Sequence, residues 1–379
     1  MPRETALLAA AMGRHAEQVF VYCYTADRSR VGEHKQGPVK VRAFFVPSWC
    51  LGRNCFYVPS ELRRLIQSNS DHLDCVLITA SFLPENAPVA RLLRKAGIPY
   101  FVSVGEGFNP FMFDGIRGLK KALYGRLLEG PILRNAAGIR LYSSIQQQHV
   151  EQRISLSSPK FFIIKEGIDS EEIRYPTVAE PNGKQPEPVF GFLGRLEVRK
   201  KGLDLLLGGW SIYRRRGGRG SLLIAGPALP GEQQKLDRQC RELRITDIAF
   251  PGPQYGPEKV AFLRKLTALV HPSRHEGIPR VIREALALRC PVVVTANTNL
   301  HDIVSQYGCG SVVDTTPESV ADGLSSMEQA FFSSQLLRMR NAAAESTCEF
   351  DWDRISRQYL DCLSGNLASD QRVGASSDQ

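Results

Sequence analysis

Between Leu269 and Val304 the chain reads LVHPSRHEGIPRVIREALALRCPVVVTANTNLHDIV. This is a strand, a loop, a helix, a second strand and a second helix in close succession, an order that argues for a parallel α/β sheet. The apolar run Ala268–Val270 stops at the turn residues Pro272 and Ser273. A helix is expected to start near Pro279, whose missing N–H falls where a first-turn amide would be unpaired anyway. It is expected to end near Arg289, before Cys290 and Pro291. The run Pro291–Thr295 is short and β-branched, as suits a strand covered on both faces.

The junction between that first strand and helix carries the chemistry. Glu276 falls in the loop and Glu284 inside the helix. A strand-to-helix turn of a parallel sheet presents unpaired N–H groups at the carboxyl end of the strands, where anions bind. One carboxylate there can bond sugar hydroxyls, and a second, more than a turn further in, can bond a ribose. The alternative is two solvated glutamates on a helix surface.

The rest of the second half repeats the pattern. PVFGFLGRL (188–196) is expected to be a strand feeding a loop, and Gly202 opens the helix LDLLLGGWSIYRRR. SLLIAG (221–226), DIAFPG (247–252) and ALVHPS (268–273) are further strands, and PVVVT and GSVVD complete the set. Together they predict a doubly wound domain. Arg195 and Lys201 flank the exit of its first strand, facing the edge that carries Glu276. A departing diphosphate concentrates negative charge and needs fixed cations or a metal. With no carboxylate cluster suited to Mg²⁺, these cations are the better candidates and no metal is expected. Simple surface solvation is the other reading of the Arg199-Lys200-Lys201 run.

The first half alternates as well, but it opens on a helix (Glu4–Gly13) where a doubly wound domain would open on a strand. Strands are expected at 18–23, 42–47, 75–79, 99–104 and 161–164, and helices at 59–68 and 87–96. The chain is expected to begin beyond the domain's initial strand, with a domain that pairs its strands differently as the alternative. Gly105, Glu106 and Gly107 follow the strand ending at Val104, where glycines let a backbone approach a ligand closely; a plain turn is equally consistent. From Gly115 to Arg140 come Arg117, Lys120, Lys121, Arg126, Arg134 and Arg140 against one acid, Glu129, with Leu119, Leu123, Leu127 and Leu128 at helical spacing. This is read as a solvated charged face over a core stripe, with docking on an anionic membrane surface as the alternative. Aromatic interleaving is too sparse for nucleic acid. The Pro-, Asn- and Gly-rich stretch Pro176–Pro188 marks the expected linker, and the small polar tail beyond Leu363 is expected to be disordered.

A chain of 379 residues with 43% hydrophobic content supports two or three domains. The net charge of +9 favours anionic partners such as nucleotide phosphates or an acidic membrane. The nine cysteines show no CxxC pair, which suggests thiols of a reducing compartment rather than a metal site. No apolar run reaches the roughly 18–20 residues of a membrane span. The patch Ala6–Met12 is too short for a signal core, so a cytoplasmic protein is expected.

Taken together, GRLEVRKKGLDLLL, AGPAL, PSRHEGIPRVIREALAL and PVVVTANTNLHDIV, across roughly 188–314, resemble the retaining glycosyltransferases of family 4. SFLPENAPVARLLRKAGIPY and KEGIDSEEI resemble that family's first domain less closely, and FDWDRISRQYL resembles its last helix, which returns to pack on the first domain. The resemblance implies a GT-B fold: two doubly wound Rossmann-like domains facing a central cleft, here 1–175 and 187–345, the first lacking its initial strand, followed by a terminal helix (346–365) and a tail (366–379). It implies that Arg195 and Lys201 hold the donor diphosphate as it leaves, that Glu276 contacts the donor sugar and that Glu284 bonds the ribose. Gly194, the backbone N–H groups of Gly277, Ile278, Pro279 and Arg280 (proline contributing none), and Asn299 with Leu300 would complete the donor site. It further implies a hexosyl transfer that retains anomeric configuration without a metal or cofactor, a nucleotide sugar as co-substrate, and a glycan or lipid-linked acceptor in cell-surface polysaccharide synthesis. Where the family often carries Pro-His-Gly after its fourth strand, this chain has Val104, Gly105 and Glu106. A non-catalytic sugar-nucleotide-binding relative and a GT-B epimerase are the competing readings; a dehydrogenase is disfavoured because no GxGxxG opens either half.

Overall fold

Burial decides which apolar runs become strands. The computed structural model describes residues 3–50, 56–157, 160–169, 171 and 187–365. It divides into two units: Met1–Gly167 with the segment from Trp352 onward, and Ile168–Asp351. The expected linker lies outside the described residues up to residue 186, and the expected tail 366–379 lies outside them entirely.

The first unit runs α1 (Arg3–Met12), β1 (Val19–Thr25), β2 (Gly32–Gln36), β3 (Val39–Phe45), α2 (Ser60–Ser68), β4 (Val76–Ile78), α3 (Asn86–Lys95), β5 (Tyr100–Ser103), α4 (Gly115–Tyr124), α5 (Gly130–Arg134), β6 (Gly138–Leu141), α6 (Ser144–Glu151) and β7 (Phe161–Ile163). Strands β4-β5-β6-β7 form a parallel sheet in that order, with Ile78 against Val102 and Leu141 against Ile163. Strands β1-β3-β2 form a second sheet, β1 parallel to β3 and β2 antiparallel to it. Pairing is divided between two sheets in this unit: β1 and β4 each end a sheet, and among the described residues no strand pairs with both. Phe44, Leu62, Ile66, Leu93, Val102, Ile139 and Val150 share one core under both sheets. The terminal helix (Trp352–Ser364) belongs here too: Ile355, Tyr359 and Cys362 pack with Ile164, and Leu8 and Met12 of α1 close over them. Asp353 takes the His15 ring nitrogen at 2.6 Å.

The basic segment departs from its expected form. It is not one amphipathic stretch: α4 passes through a single π turn, Gly125–Glu129, into α5, and Arg140 is a buried residue of β6. Of the four leucines only Leu128 is partly buried, and the other three do not line the core. Leu119, Leu123 and Leu127 are 73%, 58% and 61% exposed, whereas the acid Glu129 is fully buried. The expected charged face over a core stripe is thus overturned, because Tyr124 and Gly125 face inward instead, against Phe82.

The second unit is more regular. It runs β8 (Val189–Leu193), α7 (Val198–Lys201), α8 (Leu203–Arg215), β9 (Ser221–Ala225), α9 (Glu232–Glu242), β10 (Ile248–Ala249), α10 (Gly256–Lys265), β11 (Ala268–His271), α11 (Arg280–Ala287), β12 (Val292–Thr295), α12 (His301–Tyr307), β13 (Gly310–Val313), α13 (Pro317–Phe331) and α14 (Gln335–Glu345). Its six strands form one sheet in the order β10-β9-β8-β11-β12-β13, every neighbouring pair parallel. The strands are short and apolar because helices cover both faces: Phe190, Leu222, Val270 and Val293 pack under α8 and α13, with Trp210 and Leu324 among them. Succession runs outward in both directions from β8 and β11. The order therefore reverses between those two strands, and a crevice outside their carboxyl ends is where such sheets bind ligands.

Candidate functional site

Three loops leave the carboxyl ends of β8, β11 and β12 side by side. The first carries Gly194, Arg195 and the short helix α7, which ends at Lys201. Gly202 turns the chain into α8 with φ at +65°, and a Cβ there would lie 2.0 Å from the Pro272 carbonyl oxygen. Only glycine combines that left-handed backbone with so close an approach. The close approach brings the β8 loop against the β11 loop, and hydrogen bonds hold it: the Arg274 amide donates to the Lys200 carbonyl at 3.0 Å. The Arg274 guanidinium grips the Asp204 carboxylate in a fork of 2.6 and 2.7 Å.

The β12 loop holds the other side. The Glu276 amide donates to the Asn297 carbonyl at 3.1 Å, and Thr295 Oγ1 donates to the Ser273 carbonyl at 2.5 Å. Asn299, with φ at +58°, turns its Nδ2 onto the carbonyls of Glu276 and Gly277 at 3.0 and 2.8 Å. Glu276 is therefore fixed from both directions at the point where the strand order reverses.

Its side chain is the centre of a buried cluster. Glu276 Oε1 accepts from Lys201 Nζ, from Ser273 Oγ at 3.1 Å, and faces His271 Nε2 at 3.2 Å. Burial alone would push this carboxyl up, but the His271 hydrogen bond and the Lys201 ammonium overcome it and hold it well below its ordinary value. Burial pushes His271 down, against the pull of Glu276. The ring stacks on Phe192 at 5.3 Å, and its Nδ1 has no hydrogen-bond partner. A neutral imidazole with its proton on Nε2 satisfies all of this: Nε2–H donates to the carboxylate, and no charge is stranded in the core. The cluster is thus one carboxylate, one ammonium and one neutral imidazole.

The sequence-predicted residues sort clearly. Lys201 and Glu276 meet. Glu284, in α11, is 2% exposed and accepts from Lys259 Nζ of α10 at 2.8 Å. The reading of two solvated glutamates therefore fails for both. Gly277, Ile278 and Pro279 are buried and Arg280 is exposed at the start of α11, whose first amides have no partner within the helix. Leu300 is buried ahead of α12. Arg195 lies outside the cluster, its side chain 58% exposed and paired with Glu197 at 3.2 Å. Sequence reasoning missed His271, Ser273, Arg274, Asp204 and Lys259. A histidine closing an apolar strand just before a Pro-Ser turn was a usable signal for the first two; nothing in the sequence joins Lys259 to Glu284 across the fold.

In the first unit the loop after β5 is also ordered by its neighbours. Gln146 Nε2 donates to the Gly105 carbonyl at 2.6 Å, and Asn109 Nδ2 to that of Glu106 at 3.0 Å. A Cβ on Gly107 would lie 2.0 Å from Ser81 Oγ. The Glu106 side chain is exposed. Beside this loop, buried Arg140 donates to Ser103 Oγ at 3.1 Å and to the Lys165 carbonyl at 2.7 Å, while Tyr142 donates to Glu166. Among the described residues there is no group of three or more His, Cys, Asp or Glu side chains placed to hold a metal ion, and no helix is long and apolar enough to cross a membrane.

Comparison with known proteins fits this geometry. The family model "Glycosyl transferases group 1" matches residues 176–345, and "Glycosyl transferase 4-like domain" matches residues 1–160. A GDP-mannose-dependent alpha-mannosyltransferase of Mycobacterium tuberculosis is 28% identical over 130 residues, 34% of this chain and 30% of that protein. The glycogen synthase of the same organism is 26% identical over 233 residues, 60% of this chain and 54% of that protein. The matches thus span about a third to a half of these curated relatives. Among solved structures, Anabaena HepE in complex with UDP superposes with a TM-score of 0.70 at 18% identity, covering 96% of each chain. Sucrose-phosphate synthase from Thermosynechococcus elongatus gives 0.69 at 16% identity, covering 95% of this chain and 92% of that one.

Proposed function

The chain belongs to the glycosyltransferases of the group 1, family 4 type, and on that premise we propose that it moves a hexosyl unit from a nucleoside-diphosphate donor to a glycan or lipid-linked acceptor, with retention at the anomeric carbon, in the cytoplasmic synthesis of a cell-surface polysaccharide. The observation that carries the reading is the Lys201–Glu276–His271 cluster at the reversal of strand order. UDP in the HepE structure and the GDP-mannose donor named for the mycobacterial relative support a nucleotide sugar as the co-substrate.

Each residue then has a task. The donor diphosphate sits outside the carboxyl ends of β8 and β11, over the first amides of α11. As the bond from the anomeric carbon to the phosphate oxygen breaks, its electron pair stays on the phosphate. A cation fixed in a poorly solvated place stabilises that charge without reorganising. Lys201 is such a cation, its side chain 11% exposed and oriented by Glu276. Arg195, more exposed, covers the diphosphate from the solvent side. Glu276, ionised, accepts from the sugar hydroxyls, and neutral His271 holds it in register without cancelling its charge. Glu284, braced by Lys259, accepts from the ribose hydroxyls. The acceptor oxygen attacks the face the phosphate leaves, and its proton passes to the departing phosphate oxygen. Because protein cations carry the leaving charge, the reaction needs no metal.

The test is transfer itself. Incubated with nucleotide sugars, a glycan acceptor and EDTA, the enzyme should release nucleoside diphosphate and give a product whose anomeric proton coupling matches the donor. An inverted product or full dependence on a divalent ion would reject the mechanism; sugar epimerised without acceptor would favour the epimerase reading.

A further inference from the structure

The outer face of α4 and of the π turn after it has a composition that a water-exposed helix avoids. Ile116, Leu119, Leu123 and Leu127 are 85%, 73%, 58% and 61% exposed. At about 100° per residue they fall within roughly a quarter turn of one another, as a single stripe. The opposite face is firmly seated. Tyr124 stacks on Phe82 at 5.8 Å, Phe82 meets Phe108 at 4.9 Å, and a Cβ on Gly118 would lie 2.0 Å from the Phe113 backbone. The helix is thus held in place with its apolar stripe outward.

Charge identifies what covers it. Lys120, Lys121, Arg126 and Arg134 are exposed along the same segment, and Lys120 and Arg126 border the stripe on its two sides. The one acid between residues 115 and 134, Glu129, is fully buried, its Oε1 taking the Phe82 amide at 2.5 Å. The exposed surface of the segment therefore carries cations and no carboxylate. A coiled coil would need a seam of three or more heptads, and this stripe ends after about three turns, within the π turn Gly125–Glu129. Apolar side chains set between basic ones are the form that lies in the boundary of an anionic bilayer, with stems among the acyl chains and ammonium or guanidinium groups at the phosphates.

We propose that α4 and the π turn after it dock the first unit on an anionic lipid surface. This stands independently of the donor-site reading, since none of its residues belongs to the second unit.

The experiment is co-sedimentation of the full chain with vesicles of phosphatidylcholine alone and with about 30% phosphatidylserine. Binding is expected only on the anionic vesicles and should weaken with salt. Leu119→Gln with Leu123→Gln should abolish it, and each of Lys120→Gln and Arg126→Gln should weaken it about fivefold. Thermal melts and donor binding should be unchanged in all three variants, which separates loss of docking from loss of the fold or of the donor site. Absence of binding, equal binding to both vesicles, or unaltered binding by the leucine variant would overturn the proposal. A concentration-dependent dimer in sedimentation that the leucine variant dissolves would assign the face to a second copy instead.

Discussion

Replacing Lys201 by methionine removes one charge from the cluster while keeping most of the volume. Lys201 and Glu276 have side chains only 11% and 6% exposed, so little solvent screening applies. Two unit charges about 4 Å apart at an effective dielectric of about 20 attract by about 4 kcal/mol. Removing one partner of a buried pair costs about 3–5 kcal/mol, because the other charge is left behind. The hydrogen bonds from Ser273 and His271 to the carboxylate survive and return part of that, leaving an expected loss of about 3 kcal/mol at pH 7. For a unit of this size that is a fall in Tm of about 6–12 °C. The pH dependence has a definite sign. Glu276 is held below its ordinary 4.5 in the native protein, so its pairing stabilises above that value and is lost as pH falls through the native one. Without Lys201 the carboxyl rises and protonates more readily, so the gap between wild type and variant should narrow as pH drops from 7 toward 4.5. Denaturant melts at both pH values, with Lys201→Met and the pair Lys201→Met/Glu276→Gln, make the measurement. A loss below about 1 kcal/mol at pH 7, a gap independent of pH, or a double variant no more stable than the single one would show that the two charges are not coupled in this way.

Glu129 predicts the opposite pH trend. Burial pushes its carboxyl up to about 7 from 4.5, so the native state holds a proton that the unfolded chain releases. Stability should therefore fall by about 3 kcal/mol as pH rises from 4.5 to 7 and stay level above that. Glu129→Gln should remove this slope and be the more stable protein at pH 8; parallel stability profiles for the two would contradict the assignment. Gly202→Ala should cost at least about 2 kcal/mol, since it sets a side chain at φ +65° against the Pro272 carbonyl, and an unchanged melting temperature would show that the loops can part there without penalty.

The second unit was legible in the sequence because its strands are buried on both faces: Val292–Thr295 and Ala268–His271 have no polar alternation to confuse them with anything but a covered parallel strand. The start of α11 at Arg280 followed from Pro279. That Lys201 and Glu276 meet has a related reason, since loops at the carboxyl edge of such a sheet converge wherever the order reverses. What failed depended on long-range choices. β2, GEHKQ, has no apolar alternation and is a strand only because it pairs with β3 along an exposed edge. In α4, periodicity located an apolar stripe but could not say which side met the core; Tyr124 and Phe82 decided that. Arg140 read as one more surface cation, yet it is a strand residue whose guanidinium is held by Ser103 and the Lys165 carbonyl. Lys259 joins the site through α10, which no local pattern connects to α11.

On the proposed function the second unit holds a nucleotide sugar at the edge where Lys201, Glu276 and Glu284 stand. Calorimetric titration with UDP-, GDP- and ADP-sugars, on wild type and Glu284→Ala, measures that binding. One donor should bind to the wild type and bind at least about tenfold more weakly to the variant, for the loss of a ribose hydrogen bond to a charged group. Binding of no donor, or equal affinity in the variant, would contradict the account.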